Sequence, residues 1–391
     1  MPEIKPDMQS IVKIKIVGVG GSGSSVVNRM IEAKIRAVDF VVMNTDLQAL
    51  NCSKATHKIH LGKTLTKGLG AGMNPEVGKK AAEESINEIR DVLRGADIVF
   101  ITCGLGGGTG TGASPVVADV AKSLGALTVA VVTKPFTFEG AKRRSIADMG
   151  YINLAEKVDT IITIFNDRIL QIVDKKTSLL QAFRIIDDVL VQGVEGVADI
   201  VNVPGLINVD FADLRVIMAN TGSAMMGIGT GKGENKVVEA ARAAVNSPLL
   251  ELAIDGARGV LFTITGGSNL GMHEVHEAAK LITKSADENA KIIFGAVINE
   301  AMKDEVKIIV IATDFSQQSG FKVDKTDVSI AEGNDYTKGS IGKTGDVHVK
   351  NDENARTSAD ILNKLLKPNV HNVSDVDGED LDIPAFLRKK K

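Results

Sequence analysis

The chain has 391 residues, of which 44% are hydrophobic, so it can bury one large core or two of medium size. A net charge of −3 excludes the broad positive field typical of nucleic-acid-binding proteins. The sequence contains no apolar run of the roughly 20 residues that cross a bilayer, and its first residues lack the apolar core of a signal peptide. Its two cysteines, Cys52 and Cys103, form no disulfide framework, so we expect a soluble protein of the cytoplasm.

Short apolar runs alternate with helical patterns in the first half of the chain. Strands that alternate with helices predict a parallel sheet covered on both faces, with ligands at the carboxyl ends of the strands. Buried strands are predicted at 14–17, 40–43, 98–101 and 128–132, and helices at 75–94 and 114–124.

One long helix interrupts this alternation. Apolar residues step by three or four over 178–202, which predicts a single helix that joins two domains. Beyond residue 316 the chain is rich in Asp, Lys, Ser, Gly and Asn, a composition typical of a disordered linker. Between these segments, strand patterns at 259–264 and 306–311 and helical patterns at 234–245 and 273–287 predict a smaller α/β domain.

Three glycine clusters stand between predicted strands and helices. Residues 18–23 (GVGGSG) match G-x-G-x-x-G, typical of a dinucleotide-binding domain but also of a plain tight turn, and a helix is predicted from Ser24 on. Residues 104–112 (GLGGGTGTG) carry six glycines in nine positions, ahead of a helix predicted to begin near Ser114 as N-cap and Pro115. Residues 68–72 (GLGAG) precede Asn74 and Pro75, a predicted N-cap and first helical residue.

The clusters predict a nucleotide held from several sides. Glycines let the backbone approach phosphates, and helix N-termini offer unpaired N–H groups. No Gly-Lys-[Ser/Thr] follows, which excludes a P-loop and leaves phosphate charge for a metal ion to neutralise. A nicotinamide-dependent oxidoreductase stays open as an alternative, with Asp39 or Asp46 as the acidic residue that binds the ribose.

Several motifs resemble one family. The segment 106–112 (GGGTGTG) resembles the signature of tubulins and FtsZ. The segments 44–50 (NTDLQAL), 208–213 (NVDFAD) and 382–388 (DIPAFLR) also resemble FtsZ, in the family's order. The chain thus resembles the FtsZ family of tubulin-like GTPases over 12–316 and in its last segment.

The resemblance implies an α/β fold. A tubulin-like GTPase domain with a Rossmann-like parallel sheet would be joined by a long central helix to a smaller α/β domain, with a disordered C-terminal tail. The expected parts are a flexible N-terminus at 1–11, the GTP-binding domain at 12–177, the central helix at 178–202, the C-terminal α/β domain with the catalytic loop at 203–316, a linker at 317–376 and a partner-binding peptide at 377–391.

The resemblance also implies the nucleotide contacts, with Mg²⁺ accompanying GTP. Ser24 and Ser25 are included although FtsZ proteins usually carry asparagine there, which leaves their effect on affinity open. The phosphate cradle would be Gly20, Gly21, Gly107, Gly108, Thr109 and Gly110, with Asp46 nearby; Gly70, Ala71 and Gly72 would sense the γ-phosphate; Thr133, Pro135, Glu139 and Arg143 would line the ribose and phosphates; Asn166, Phe183 and Asp187 would read guanine.

Some of these residues have simpler explanations. A carboxylate suits guanine, whose N1–H and N2 amine both donate, which supports Asp187. Phe183 falls on the apolar stripe of the long helix and could belong to the core, and Arg143 could be a solvated surface charge. Cys103 is predicted to be core rather than nucleophile, and the pairs at 57/60 and 273/276 are weak candidates for metal-binding histidines.

The resemblance assigns catalysis to Asn208, Asp210 and Asp213, on a loop that enters the nucleotide site of the neighbouring subunit. Spacing alone favours a different role, with Asp210 as N-cap and Asp213 at the third position of the next helix. The implied function is a GTPase that polymerises head to tail in the cell-division ring, at the inner face of the membrane. The terminal peptide, through Ile383, Pro384, Phe386 and Leu387, would bind membrane-tethering proteins such as FtsA or ZipA. A non-polymerising adaptor is the other alternative, and the intact catalytic loop argues against it.

Overall fold

The computed structural model describes residues 12–171, 173–174, 176–202, 205–247, 254 and 256–315. The predictions for 1–11, 317–376 and 377–391, including those for Ile383, Pro384, Phe386 and Leu387, lie outside the described residues. Within the described part of the chain, no helix is long and apolar enough to span a membrane.

The order of strands and helices follows the predicted alternation. The strands are β1 (Ile14–Val19), β2 (Val38–Asn44), β3 (His57–His60), β4 (Ile98–Gly104), β5 (Leu127–Lys134), β6 (Thr160–Phe165), β7 (Gly222–Lys232), β8 (Ala257–Gly266), β9 (Lys291–Ile298) and β10 (Glu305–Phe315). The helices are α1 (Gly20–Glu32), α2 (Leu47–Asn51), α3 (Lys63–Thr66), α4 (Pro75–Glu84), α5 (Ile86–Leu93), α6 (Thr109–Ser123), α7 (Ala141–Ala155), α8 (Asn166–Ile169), α9 (Leu179–Asn202), α10 (Phe211–Met218), α11 (Lys236–Val245) and α12 (Met272–Thr283).

The strands form a single sheet in the order β3-β2-β1-β4-β5-β6-β7-β10-β8-β9. Strands β1 to β6 pair in parallel, as the strand–helix alternation predicts. Strand β7 continues the sheet in parallel to β6, pairing Thr160–Ile162 with 222–224. Strand β10 is antiparallel to both β7 and β8, and β9 is parallel to β8, so the second half of the sheet is mixed.

Successive residues of the parallel strands enter two cores on opposite faces. In β1, Ile14 and Ile16 belong to one cluster, while Val17 and Val19 belong to the other. Side chains alternate along a strand, so a sheet buried on both faces needs apolar residues at consecutive positions. This explains why the strands read as unbroken apolar runs.

Helix α9 runs along the first of these faces. Its buried residues share one cluster with β1, β4 and β5 and with β7, β8 and β10. Two glycines let it lie close to the sheet: a Cβ on Gly193 would stand 2.5 Å from the Met226 sulfur, and one on Gly196 would stand 2.6 Å from Ile309 Cδ1. The long helix therefore packs against both halves of the sheet, and a third cluster beneath α11 and α12 fills the opposite face of β8 and β10.

Three helix boundaries differ from the prediction. Helix α6 begins at Thr109 rather than near Ser114, because the glycine segment itself enters the helix. Ser114 is no N-cap: its buried hydroxyl donates to the carbonyl of Gly110 at 2.6 Å, and Pro115 lies inside the helix. Likewise α1 begins at Gly20 instead of Ser24. The segment 75–94 forms two helices that meet at Ser85.

Candidate functional site

Two helix N-termini lie side by side at the carboxyl ends of β1 and β4. Gly20, at the start of α1, has φ +74°, and a Cβ there would stand 2.9 Å from the backbone nitrogen of Gly110 in α6. Only glycine allows this backbone to be both left-handed and so close. The first two glycine clusters are therefore in direct contact, and the N–H groups of two helices point to one region.

The third glycine cluster joins them. A Cβ on Gly108 would stand 2.8 Å from Ala71 Cβ and 2.9 Å from the backbone nitrogen of Asn74. Asn74 caps α4 by accepting a hydrogen bond from Glu76 N at 3.0 Å, as the sequence predicts. All three predicted glycine loops thus meet at one edge of the sheet.

Four glycines of these loops border open space. An added Cβ would meet no heavy atom within 4 Å at Gly21, Gly70, Gly72 or Gly107. Gly70 (φ +86°) and Gly72 (φ +57°) hold left-handed backbone that favours glycine, whereas Gly21 and Gly107 have neither this reason nor a packing reason to be glycine. Together they outline a concave surface of backbone amides that can accept a phosphate chain.

The loop after β2 supports this surface. Thr45 and Thr109 share a hydrogen bond of 2.6 Å between their hydroxyl groups. Asp46 accepts from Gln48 N at 2.9 Å and Ala49 N at 3.1 Å, so it caps α2 in addition to any role toward nucleotide. Asn44 is almost fully buried, and its amide nitrogen has no hydrogen-bond partner within the described part of the chain. The sequence places Asn44 in a family-like motif but assigns it no role. Only the structure shows that its buried amide nitrogen lacks a hydrogen-bond partner among the described residues.

Ser24 and Ser25 hydrogen-bond within their own helix. The Ser24 hydroxyl is buried and donates to the carbonyl of Gly20 at 2.7 Å, and the exposed Ser25 hydroxyl donates to that of Gly21 at 3.2 Å. Ser24 therefore stabilises the glycine turn from behind, and Ser25 is the one that solvent and ligands can reach.

A second group of residues follows β5. Thr133 lies at the end of the strand, where its carbonyl accepts from Leu105 N at 2.9 Å. Glu139 accepts from Phe136 N at 2.8 Å and pairs with Arg143 at 3.1 Å. The Arg143 side chain is partly exposed, and its Nε is buried without a partner among the described residues. Arg143 and Pro135 also pack against Gly106, which joins this group to the glycine loops.

The three residues expected to read guanine lie at the start of α8 and in the first half of α9. Asn166 is buried, and its side-chain oxygen has no partner within the described residues. Phe183 is 42% exposed and meets Phe136 edge-on at 5.8 Å between ring centroids, so it is not a core residue. Burial raises the pKa of Asp187 to about 6, against the opposing influence of Arg29. An orphan amide, an exposed ring and a carboxyl group therefore stand in one part of the molecule.

The segment 208–213, predicted to carry catalytic residues, leads into α10, whose Arg215 donates to Gly125 O at 3.3 Å just before β5 begins. Leu206 N donates to Ala296 O at 2.9 Å, and Asn208 Oδ1 accepts from Gly205 N at 2.7 Å, so the loop is anchored to β9. Asp210 caps α10 by accepting from Ala212 N at 3.3 Å, as spacing predicts. Asp213 is exposed at the third position of α10. Within the part of the chain that the structure describes, its carboxylate accepts no hydrogen bond from the backbone N–H of Asp210. Among the described residues, no hydrogen bond links this loop to the glycine loops.

The remaining candidates are structural. Cys103 is buried in β4, where desolvation raises the pKa of its thiol to about 11, so it is a core residue as predicted. The described part of the chain holds no cluster of three His, Cys, Asp or Glu side chains that could bind a metal ion.

Two family models match the chain. The model of the Tubulin/FtsZ family GTPase domain matches residues 13–174, and that of the FtsZ family C-terminal domain matches residues 222–316. An empty FtsZ dimer from M. jannaschii has 44% sequence identity over 80% of this chain and 90% of that chain, with a TM-score of 0.76. A point mutant of the same protein gives 44% identity over 79% and 92%, with a TM-score of 0.75. The chain belongs to the FtsZ family.

Membership of the FtsZ family makes this chain a GTPase and removes the nicotinamide alternative that residues 18–23 left open. The same fold occurs in more distant proteins of Haloferax volcanii. GDP-bound CetZ1 has 20% identity over 78% of this chain and 95% of its own, with a TM-score of 0.68. CetZ2, solved as a protofilament with a GTP analogue, has 20% identity over 79% and 95%, with a TM-score of 0.67.

Proposed function

We propose that this FtsZ-family GTPase assembles head to tail into filaments of the cell-division ring and hydrolyses GTP where two subunits meet. The observation that carries the proposal is a separation of parts. Open glycines border one edge of the sheet, while the exposed carboxylate of Asp213 lies in the first turn of α10, which follows a loop anchored to β9. Among the described residues, no hydrogen bond joins the two parts.

Backbone amides would bind the phosphates. The N-termini of α1 and α6 offer N–H groups and a favourable helix dipole to a negative ligand. The loop 70–72 closes the surface from the side of α4, where the γ-phosphate would lie. Guanine would stack on Phe183 and pair with Asn166 and Asp187, since a carboxylate accepts from both N1–H and the N2 amine.

Catalysis would come from the neighbouring subunit. Asp213, whose exposed carboxylate makes no ion pair or hydrogen bond with the other described residues, would orient and polarise the attacking water, and Asn208 would help to position it. Asp210 serves as N-cap through one oxygen, which leaves the other available. Phosphoryl transfer depends mainly on positioning and charge stabilisation, so dividing the site between subunits is chemically sufficient.

Mg²⁺ would enter with the nucleotide. A cradle of backbone amides leaves most of the triphosphate charge unneutralised, and the described residues form no acidic metal cluster. This donor set fits a cation held mainly through phosphate oxygens, where it would stabilise the charge that develops on the leaving group.

Exposed apolar side chains support a contact at both ends. Leu69, beside the cradle, is 88% exposed, and Leu206, beside the catalytic loop, is 71% exposed. Large exposed apolar residues at two surfaces that must meet are expected of a heterologous interface, which repeats into an open filament.

The cellular role is the finer part of the proposal. Filaments would form on the inner face of the membrane at the division site, attached through Ile383, Pro384, Phe386 and Leu387 to partners such as FtsA or ZipA. Nucleic acid is not expected as a partner, given the net charge of −3.

Sedimentation of the purified protein with GTP or GDP tests this proposal. Wild-type protein should pellet with GTP and Mg²⁺ and remain in the supernatant with GDP. The Asp213→Asn variant should also pellet with GTP, and its polymer should persist because hydrolysis is slow. A protein that binds GTP but stays monomeric at all concentrations would support the adaptor alternative instead.

A further inference from the structure

A groove lies behind the phosphate surface, between α4, α6 and α7. Its volume is about 550 Å³, within the range of small-molecule sites. The walls are one face of α4 (Glu76, Lys79 and Glu83) and one face of α7 (Ile146, Met149 and Asn153), and the floor is α6. The spacing of three or four residues along each wall shows that these side chains share a helix face.

The groove is built by close helix contacts at its inner end. A Cβ on Gly112 would stand 1.9 Å from the carbonyl oxygen of Pro75, and one on Gly150 would stand 2.2 Å from Thr111 Cγ2. At the other end, Lys157 and Asp119 form an exposed ion pair of 2.8 Å. The groove is therefore a recess of fixed shape and separate from the open glycines.

The floor carries a hydrogen-bond acceptor without its usual donor. Pro115 lies inside α6 and has no N–H, so the carbonyl of Thr111 lacks the donor that an α-helix would supply. Both residues line the groove. A ligand with an N–H group can satisfy this carbonyl.

The lining combines apolar and acidic side chains. Ile86, Val116, Ile146 and Met149 provide the apolar surface, and Met149 is 62% exposed although it lies in the recess. Four carboxylates and two ammonium groups line the groove, and one of each is used in the Lys157–Asp119 pair. Within the described part of the chain, the carboxylates of Glu76, Glu83 and Glu156 form no ion pair.

We propose that this groove is a binding site for a small amphipathic organic cation. An aromatic or aliphatic body would cover Val116, Ile146 and Met149, and an ammonium group would meet the carboxylates of Glu76 and Glu83. An N–H of the ligand would donate to the Thr111 carbonyl. The acidic lining selects a cation over an anion of the same shape.

Tryptamine is a suitable probe, because this chain contains no tryptophan and the indole can be excited selectively. Its fluorescence anisotropy is followed as full-length, GDP-saturated protein is added, so that stacking in the nucleotide site is blocked. We expect one saturable site with Kd of about 1 mM or tighter, the range for so small a ligand. Indole-3-propionate, the anionic counterpart, should bind at least about tenfold more weakly.

Matched variants locate the site. The double variant Glu76→Gln and Glu83→Gln should weaken tryptamine binding about tenfold, because two charge-assisted contacts are lost. Asp91→Asn removes an exposed carboxylate of α5 outside the groove and should leave binding unchanged. All three positions are on the surface, and thermal unfolding checks that each variant is folded.

Three results would overturn the assignment. Binding that does not saturate, binding that is equal for the cation and the anion, or binding that the double variant does not weaken each contradicts a site in this groove. Stronger binding in nucleotide-free protein, lost on adding GDP, would place the probe in the nucleotide site and would also overturn it. None of these results bears on GTP hydrolysis or assembly.

Discussion

Two aspartates of this protein stand in opposite environments. Asp187 is largely buried at the start of α9, and desolvation raises the pKa of its carboxyl group from 3.8 to about 6. Asp188, next to it, pairs with Arg29 at 2.7 Å, so the nearest positive charge is already engaged. Asp213 is exposed in the first turn of α10. The environment of Asp187 suits a carboxyl group that a bound ligand covers. The exposure of Asp213 suits a carboxylate that acts on another molecule.

The raised pKa of Asp187 predicts a pH-dependent effect of Asp187→Asn. Because the folded pKa lies above the unfolded one, the ionised carboxylate opposes folding above about pH 6, and this cost disappears as pH falls to about 4. Nucleotide-free Asp187→Asn should therefore be about 1–3 kcal/mol more stable than wild type at neutral pH, with the difference vanishing in acid. Thermal unfolding across pH measures this.

Asp199 supplies the matched control. Burial raises the pKa of this α9 carboxyl to about 6 as well, and it lies outside the predicted guanine contacts. Asp199→Asn should give the same trend in stability with unchanged GTP affinity, whereas Asp187→Asn should bind GTP at least about tenfold more weakly. Equal GTP affinities for the two variants would refute guanine recognition by Asp187.

Substitutions of Asp210 and Asp213, the predicted catalytic aspartates, should affect GTP turnover and the free energy of unfolding differently. Asp213→Asn should reduce GTP turnover by about 100-fold or more while the free energy of unfolding stays within about 0.5 kcal/mol. Asp210→Ala removes the N-cap of α10 and should also cost about 1 kcal/mol, whereas Asp210→Asn keeps the cap. Phosphate release and thermal unfolding of the three variants are compared. Wild-type turnover in Asp213→Asn would show that this carboxylate takes no part in hydrolysis.

At the scale of helices and strands, local sequence patterns predict where these elements lie. They do not predict that the glycine segments form the first turns of the helices that follow. The N-caps Asn74 and Asp210 follow from side-chain chemistry and are confirmed. The predicted start of α6 near Ser114 is wrong. Glycine and proline have low helix propensity, but the tertiary contacts of Gly110 and Gly112 determine where this helix begins. The open space at Gly21 and Gly107 follows only from the packed loops.

Two glycines in these helices predict opposite consequences of adding a methyl group. Gly112→Ala would place Cβ 1.9 Å from the backbone of Pro75, so we expect a loss of about 3 kcal/mol in stability. Gly21→Ala meets nothing in the protein and should fold normally, since alanine is favoured in a helix. Its methyl group would instead occupy phosphate space and lower GTP affinity at least about tenfold. Calorimetric binding and unfolding measure both, and unchanged affinity in Gly21→Ala would contradict the phosphate surface.

At the scale of the whole molecule, the sheet is continuous from β3 to β9. The parallel half and the long helix could be predicted because strand–helix alternation and an apolar stripe are local signals. The pairing of β6 with β7 over three residues, and the antiparallel β7-β10-β8 order, could not, since they join segments far apart in the chain. The separation of the predicted catalytic residues from the glycine loops belongs to this level, and it is the basis for the proposal that GTP is hydrolysed between subunits.

GTP hydrolysis per subunit, measured against protein concentration with Mg²⁺ present, tests that separation most directly. A site shared between subunits predicts almost no activity in dilute protein, then a rise in specific activity above a critical concentration as filaments form. Asp213→Asn should bind GTP with unchanged affinity and show little activity at any concentration. Specific activity that stays constant from dilute to concentrated protein would mean that one chain holds the complete site, and would contradict hydrolysis at the subunit contact.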